Sequence, residues 1–404
     1  MTRPDPSGEG HTDSPGNVSV SEQMRGEMPV CQRLAYYDHA AVGPLPAASA
    51  SAMCLYAQQA SQLGDVPWLE WNVQVEQLRD GLAELLNAER GEIALVANTT
   101  TAIGLIAEGW RWKAGESVVV PANEFPSNLV PWRQLARRGV EVREVPVGPS
   151  GTLDLQAILD AIDSSTRIVA VSWVGFASGH RIDVAQFCSA VHQRGAYVFL
   201  DAIQGLGAFP IDVRSCEVDF LAADGHKWML GPEGAGVLFI RDSHLERIDP
   251  LMVGWRSLRE GAGFDPASTA FKATAARWEG GSANMGGLHA LKCSVDMLLR
   301  YGSHRSDSPV ARAISDNVDY LQDELKRAGF DVLLPAEATQ RSGILGVQWP
   351  GADLVAARKF CLSQGIVTSV RAGRLRVSTH AYNNTDDARS LVAALKHFMH
   401  GQHG

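Results

Sequence analysis

Lys227 lies in Ala222-Ala223-Asp224-Gly225-His226-Lys227-Trp228-Met229-Leu230-Gly231-Pro232-Glu233-Gly234, between an apolar run and a glycine-rich turn. A lysine that forms a Schiff base must lose its proton, and a partly desolvated site allows that. The glycines after it let the backbone bend close to a ligand. Alone, such a lysine is more often a surface residue whose stem rests on apolar neighbours. Asp201 closes a second apolar run, Val198-Phe199-Leu200. An acid at a strand end beside a cleft can pair with a cationic ring nitrogen. Pyridoxal 5′-phosphate (PLP) needs such an acid, because its protonated ring becomes an electron sink. By itself Asp201 reads first as the cap of the next helix. Asn98-Thr99-Thr100-Thr101 is the third signal, set between a strand pattern and a helix pattern. Hydroxyls and free N–H groups at a helix start suit a phosphate, although a plain cap is commoner. Helix-start hydroxyls, then a strand-end Asp, then a Lys some 26 residues later make one layout.

The elements that must position these residues alternate from about residue 46 to 290. Glu76 to Leu86 has apolar residues at helical spacing. Glu92 to Val96, Ser117 to Val120, Val140 to Val147, Arg167 to Trp173, Ala196 to Leu200 and Gly236 to Ile240 read as strands bounded by Gly, Pro and polar turns. Helices are expected over Asn128 to Arg138 and Val184 to Arg194. Continuous apolar strands separated by helices imply a mainly parallel α/β sheet covered on both faces. Such sheets bind ligands at the carboxyl ends of their strands, and each chemical motif falls just after one. Beyond residue 290 the pattern changes. Helices over Leu288 to Tyr301 and Val310 to Ala328 lead into strands at Asp331 to Leu334, Ile344 to Gln348 and Leu375 to Ser378, then a helix over Asp386 to Met399. The division expected is a tail over 1–28, a large domain over 46–288, and a small α+β domain from 29–45 and 289–404.

Composition narrows the classes. The chain has 404 residues, 45% hydrophobic and 20% charged, as in ordinary globular proteins. A net charge of −9 argues against a nucleic-acid surface. No apolar run reaches the roughly 18–20 residues that span a bilayer. The segment Met1 to Met28 is rich in Gly, Ser, Pro and acids, reads as a mobile tail, and lacks the pattern of a signal peptide. Six scattered cysteines with no CxxC pair fit reduced thiols in a cytoplasmic protein, with no zinc site.

From Leu34-Ala35-Tyr36-Tyr37-Asp38-His39-Ala40-Ala41 through the lysine motif to the C-terminal helix, the chain resembles the class V aminotransferase family, which includes cysteine desulfurases and isopenicillin-N-epimerase-like proteins. The resemblance implies a PLP-dependent enzyme of fold type I, working as a homodimer on a small amino-acid substrate. It implies that Lys227 carries PLP and then moves protons at the substrate α-carbon. Asp201 would pair with the pyridine nitrogen, and Gln204 would contact the ring oxygen. Thr99 and Thr100, helped by His226, would hold the phosphate. Phe125 stands where many members stack an aromatic ring on the cofactor. Ser282 matches a residue that reaches the phosphate of the neighbouring subunit. Arg376 matches the arginine that grips the substrate carboxylate, a task its planar fork suits. His39 lies in a segment that resembles the lining of the substrate pocket, or it supports the turn before Gly43-Pro44.

Departures from the family shape the functional expectation. Cysteine desulfurases carry a nucleophilic cysteine in a loop before the carboxylate arginine. Here Thr368-Ser369-Val370-Arg371-Ala372-Gly373-Arg374 is short and has none, and Cys361 falls in a helical pattern. A persulfide mechanism needs a reachable thiolate, so the expectation is that the chain is not a desulfurase. An aminotransferase or C–S lyase acting on an α-amino acid through an external aldimine is expected instead. The alternatives are an amino-acid epimerase, a decarboxylating or oxidatively deaminating tailoring enzyme, or a non-catalytic PLP-fold binding protein. Asp224 and Phe176 replace a serine and an asparagine usual in desulfurases. A carboxylate beside phosphate would repel it, so Asp224 is expected to turn away toward a backbone donor or an arginine.

Overall fold

A computed structural model describes residues 19–259 and 270–401. Its strands, in chain order, are β1 (Ala35–Tyr36), β2 (Ile93–Val96), β3 (Ser117–Pro121), β4 (Glu141–Val145), β5 (Thr166–Ser172), β6 (Tyr197–Asp201), β7 (Phe220–Asp224) and β8 (Gly236–Ile240). Then come β9 (Asp331–Leu333), β10 (Ile344–Gln348), β11 (Ile366–Val367), β12 (Ser369–Arg371) and β13 (Arg374–Ser378). Strands β2 to β8 form one seven-stranded sheet in the order β2-β8-β7-β6-β5-β3-β4. Only β8 runs against the others.

Successive residues of a strand point to opposite faces, and both faces here are apolar. Val169, Val171, Val198, Leu200, Leu221 and Ala223 enter one core layer. Ile168, Ala170, Phe199, Phe220 and Ala222 enter the other. In β5, β6 and β7 alternation therefore does not show as a polar–apolar pattern, and these strands read as continuous apolar runs, unlike the polar edge strand β4. Their carboxyl ends share one edge. Thr99, Glu124, Ser172, Asp201 and Lys227 all sit at or just beyond that edge.

The C-terminal part has its own antiparallel sheet, ordered β12-β13-β10-β9. Val318, Leu321 and Leu325 of the Pro309–Arg327 helix pack on it, with Leu391 and Leu395 of the Thr385–Gly401 helix. β1 pairs in parallel with β11, which ties residues 35–36 to this part. The Met285–Arg300 helix behaves differently. Its Leu288, Leu291, Val295 and Leu298 lie in the core of the large sheet.

Two expectations change here. The expected tail over 1–28 lies outside the described residues for 1–18, but residues 19–28 are built structure. Ser19 caps the Val20–Gly26 helix, Met24 and Met28 are buried, and Arg25 pairs with Asp387 at 2.8 Å. Two methionines spaced four apart were enough to dock a segment whose composition reads as polar. The helix expected over Asn128 to Arg138 is one α-turn, Val130–Arg133, flanked by 3-10 turns. Pro126 and Pro131 remove backbone donors and break the regular ladder. Among the described residues, no helix is long and apolar enough to cross a membrane.

Candidate active site

The edge of the large sheet and the β12–β13 hairpin enclose a cavity of about 290 Å³, lined by Thr99, Thr100, Phe125, Asp201, Gln204, Asp224, His226, Lys227, Arg371 and Arg376 among others. Eight of the ten residues singled out from the sequence are thus in one place. His39 and Ser282 are not.

Lys227 follows β7 after a tight turn and is 8% exposed. Burial lowers its ammonium from 10.5 to about 8; the Asp201 charge raises it and the Arg376 charge lowers it. Among the described residues no hydrogen bond or ion pair holds its Nζ. The Phe125 ring centroid lies 5.6 Å away, and Phe125 meets Phe176 edge-to-face at 5.3 Å. Gly43 fixes the approach of the N-terminal segment. Its N–H donates to His226 O at 2.6 Å, and a Cβ there would lie 2.2 Å from Lys227 O.

Asp201 ends β6 and is buried. Burial pushes its carboxyl up to about 6, while the Ile203 N–H, donated to Oδ1 at 3.1 Å, and the Lys227 charge pull it down. One backbone donor is little for a buried carboxylate, so the site has capacity for a further cation. Gln204 is oriented by its neighbours. Its Oε1 accepts from Trp228 Nε1 at 2.8 Å and its Nε2 donates to Ala40 O at 2.9 Å. An amide nitrogen has two hydrogens, so one donor remains after the Ala40 bond.

At the other end, Asn98 caps the Thr99–Gly109 helix, accepting from Thr101 N at 2.8 Å. The first helical N–H groups have no partner within the helix and favour an anion. Thr99 Oγ1 accepts the Asp224 N–H at 3.0 Å, and Thr100 donates to Ser127 Oγ at 2.7 Å. Asp224 departs from expectation. It lines the cavity rather than turning away, with Oδ2 3.0 Å from His226 Nδ1 and Oδ1 without a partner among the described residues. Among the described residues no arginine pairs with it.

Arg376 is 2% exposed and tethered on three sides. Nε donates to Ser369 Oγ at 3.1 Å, one NH group to Phe176 O at 2.9 Å, and the other to Asp38 Oδ1 at 3.1 Å. Ser369 and Arg376 are register partners across β12–β13, which makes the first bond automatic. A guanidinium has five N–H donors, so two remain for a ligand. His39 is fully buried beneath the cavity, with Nδ1 2.8 Å from Ser378 O and Nε2 2.5 Å from Tyr382 Oη. Burial lowers it to about 3, so it is neutral and structural. Ser282 is exposed in a separate cavity with Arg256 and Asn284.

Several residues escaped the sequence reading. Asp38 adjoins the quoted His39, but nothing in spacing reveals that an acid 338 positions away meets Arg376. Glu124 crosses from the end of β3 to β5, where Oε1 accepts Ser172 N–H at 2.6 Å and Oε2 accepts the Ser172 hydroxyl. Burial pushes this carboxyl up to about 7, with the Asp201 charge adding to the rise. Its position after an apolar strand was the available signal.

A buried amine of lowered basicity, a buried acid wanting a cation, a helix start wanting an anion and a tethered arginine define a fold type I PLP enzyme. The chain matches the family model described as aminotransferase class-V over residues 35–391, and it belongs to that family. A probable cysteine desulfurase of Methanothermobacter thermautotrophicus is 33% identical over 289 residues, covering 70% of this chain and 72% of that protein. A cysteine desulfurase of Klebsiella pneumoniae is 30% identical over 410 residues, covering 93% and 97%. The fold is that of the apo cysteine desulfurase of Thermococcus onnurineus NA1, with a TM-score of 0.85, 23% identity, and coverage of 95% of this chain and 99% of that one. A cystine C–S lyase in complex with cysteine persulfide shares the fold as well, with a TM-score of 0.83, 24% identity, and coverage of 91% and 99%. These relatives overturn the expectation that the chain is not a desulfurase, and with it the expectation of an aminotransferase or C–S lyase in its place. The exclusion rested on a missing loop thiol. The absence of that thiol leaves the cavity lining of Lys227, Asp201, Gln204 and Arg376 unchanged.

Proposed function

We propose that this chain removes sulfur from cysteine with PLP as cofactor. The observation that carries the reading is the match, nearly end to end, to relatives that bear the name cysteine desulfurase. The cavity supports it, because its donors suit PLP at both ends.

When bound, PLP supplies a carbonyl for an amino group and a ring that accepts an electron pair. In this reading Lys227 would hold the cofactor, and its amine would carry protons to and from the substrate α-carbon. An amine near 8 is well placed for that task at neutral pH. Asp201 keeps the ring nitrogen protonated by charge pairing. Gln204 would offer its remaining N–H to the ring oxygen, and Phe125 would pack on the ring. Thr99, Thr100 and His226 hold the phosphate at the helix start. The two free N–H groups of Arg376 take the substrate carboxylate. Tethering by Asp38, Ser369 and Phe176 leaves that arginine little freedom to lose on binding.

We propose a homodimer in which Ser282 serves the partner's site. Trp68, Leu69 and Val73 are exposed on one helix, near exposed Met252, Val253 and Trp255. Trp68 and Trp255 have ring centroids 6.4 Å apart. Apolar groups clustered on a surface usually mark an interface. We also carry the two-domain division forward, a large unit over 46–288 and a small one from 29–45 and 289–404. Its boundary is best moved past the Met285–Arg300 helix, which shares the large core. A cytoplasmic setting remains our reading of the six unpaired thiols.

The test is product analysis. Holoenzyme incubated with L-cysteine and a thiol should release L-alanine in step with thiol-bound sulfur. Cysteine recovered unchanged, or converted to its keto acid, would overturn the proposal.

A further inference from the structure

All six cysteines fall among the described residues, and none lines the Lys227 cavity. Cys188 and Cys361 are fully buried, and burial pushes the Cys361 thiol up to about 11. Cys54 is exposed, but on the Ala47–Leu63 helix. The stretch where a loop thiol would sit is the β12–β13 hairpin. Its turn is two residues, Ala372 and Gly373, with φ of 47° and 72°. Two residues in left-handed conformation make a tight, right-twisting hairpin connection, not a mobile arm.

A second cavity, of about 400 Å³, adjoins the first. Phe176 lines both, and the hairpin covers both, with Arg371 over the first and Ala372 and Arg374 over the second. Asn123, Glu124, Ser150, Ser172, Ser178 and His180 complete the polar lining. His180 Nδ1 accepts the Leu153 N–H at 3.4 Å, which leaves the proton on Nε2. That Nε2 is buried and has no partner among the described residues. Arg374 is half-buried, and among the described residues no hydrogen bond or ion pair engages its guanidinium. His180 and Arg374 both line this space, and among the described residues the His180 Nε2–H has no acceptor and the Arg374 guanidinium no anion. An anionic ligand satisfies both.

We propose that this second cavity binds a small carboxylate-bearing thiol, which accepts sulfur from the substrate in the Lys227 cavity. The inference rests on the desulfurase reading. The acceptor thiolate attacks the substrate sulfur and forms a new S–S bond. The Cβ–S bond breaks, and its electron pair stays with carbon. Cβ takes the proton that the acceptor thiol gave up. The balance is L-cysteine plus RSH giving L-alanine plus RSSH, with carbon reduced, sulfur oxidised and no further reagent. Arg374 and His180 hold the carboxylate of RSH, and its thiolate reaches the substrate sulfur past Phe176, which lines both cavities.

Holoenzyme is assayed for alanine from L-cysteine with no thiol, with mercaptoacetate and with 2-mercaptoethanol, and the intact protein is weighed after turnover. Alanine should appear only with added thiol, persulfide should be found on that thiol, and the protein should gain no sulfur. In Arg374→Gln the KM for mercaptoacetate, relative to that for 2-mercaptoethanol, should rise about tenfold, the loss of one charge-assisted contact. Two results overturn the inference: alanine at full rate without thiol, with a chain cysteine one sulfur heavier, or an unchanged KM ratio in Arg374→Gln. Failure to consume cysteine under any condition instead overturns the desulfurase reading beneath it.

Discussion

Lys227 and Asp201 are strained in opposite senses by one cause. Burial disfavours the charged form of each, so the amine falls to about 8 and the carboxyl rises to about 6. Each partly relieves the other, yet neither is satisfied without a ligand. The amine attacks a carbonyl only when neutral. Below its pKa the neutral fraction falls tenfold per pH unit, so PLP uptake by the apoprotein should accelerate with rising pH and level off above about 8. Stopped-flow absorbance across pH 6 to 10 measures this. A rise that continues toward the ordinary lysine value of 10.5 would mean that the amine is not desolvated as described.

Elements explain why these side chains converge. Each motif terminates an apolar strand of one sheet, and the parallel strands send their carboxyl ends to one edge. That much was legible, because buried parallel strands announce themselves as runs of Val, Ile, Leu and Phe, and their breaks carry the functional residues. Depth was not legible. His39 and Asp38 are neighbours in sequence, but one is sealed under Tyr382 and the other faces Arg376. Nor was Asp224 legible, since repulsion from phosphate predicted the wrong direction for a side chain that His226 can accompany. Leu375 to Ser378 reads as a strand and falls in β13, but β12 and the turn that follows it escaped because residues 368–374 are few and rich in arginine. Gly43 illustrates an element held by contact rather than by propensity. In Gly43→Ala the new Cβ must push the Lys227 carbonyl away. Overpacking of this kind costs roughly 1–3 kcal/mol. We expect a lower denaturation midpoint together with reduced PLP occupancy at fixed PLP concentration. A variant that loses neither would show that the segment around Gly43 does not set the lysine's position.

Three apolar clusters hold the whole molecule, two flanking the large sheet and one in the C-terminal part. The cavity lies where the large sheet's edge meets the β12–β13 hairpin, so in the proposed reading substrate carboxylate and cofactor are gripped from different parts of the fold. β1 and β11 link the chain's beginning to that C-terminal part, and Arg25 with Asp387 reinforces the link. The other proposals depend on one, that PLP is carried on Lys227. The direct measurement is to load the protein with PLP, reduce it with borohydride and map the modified peptide by mass spectrometry, beside the absorption spectra of wild type and Lys227→Ala. The account predicts a visible band in the wild type, its loss in Lys227→Ala, and a single pyridoxyl group on Lys227. A band that survives in Lys227→Ala, or a pyridoxyl group on another lysine, would contradict it.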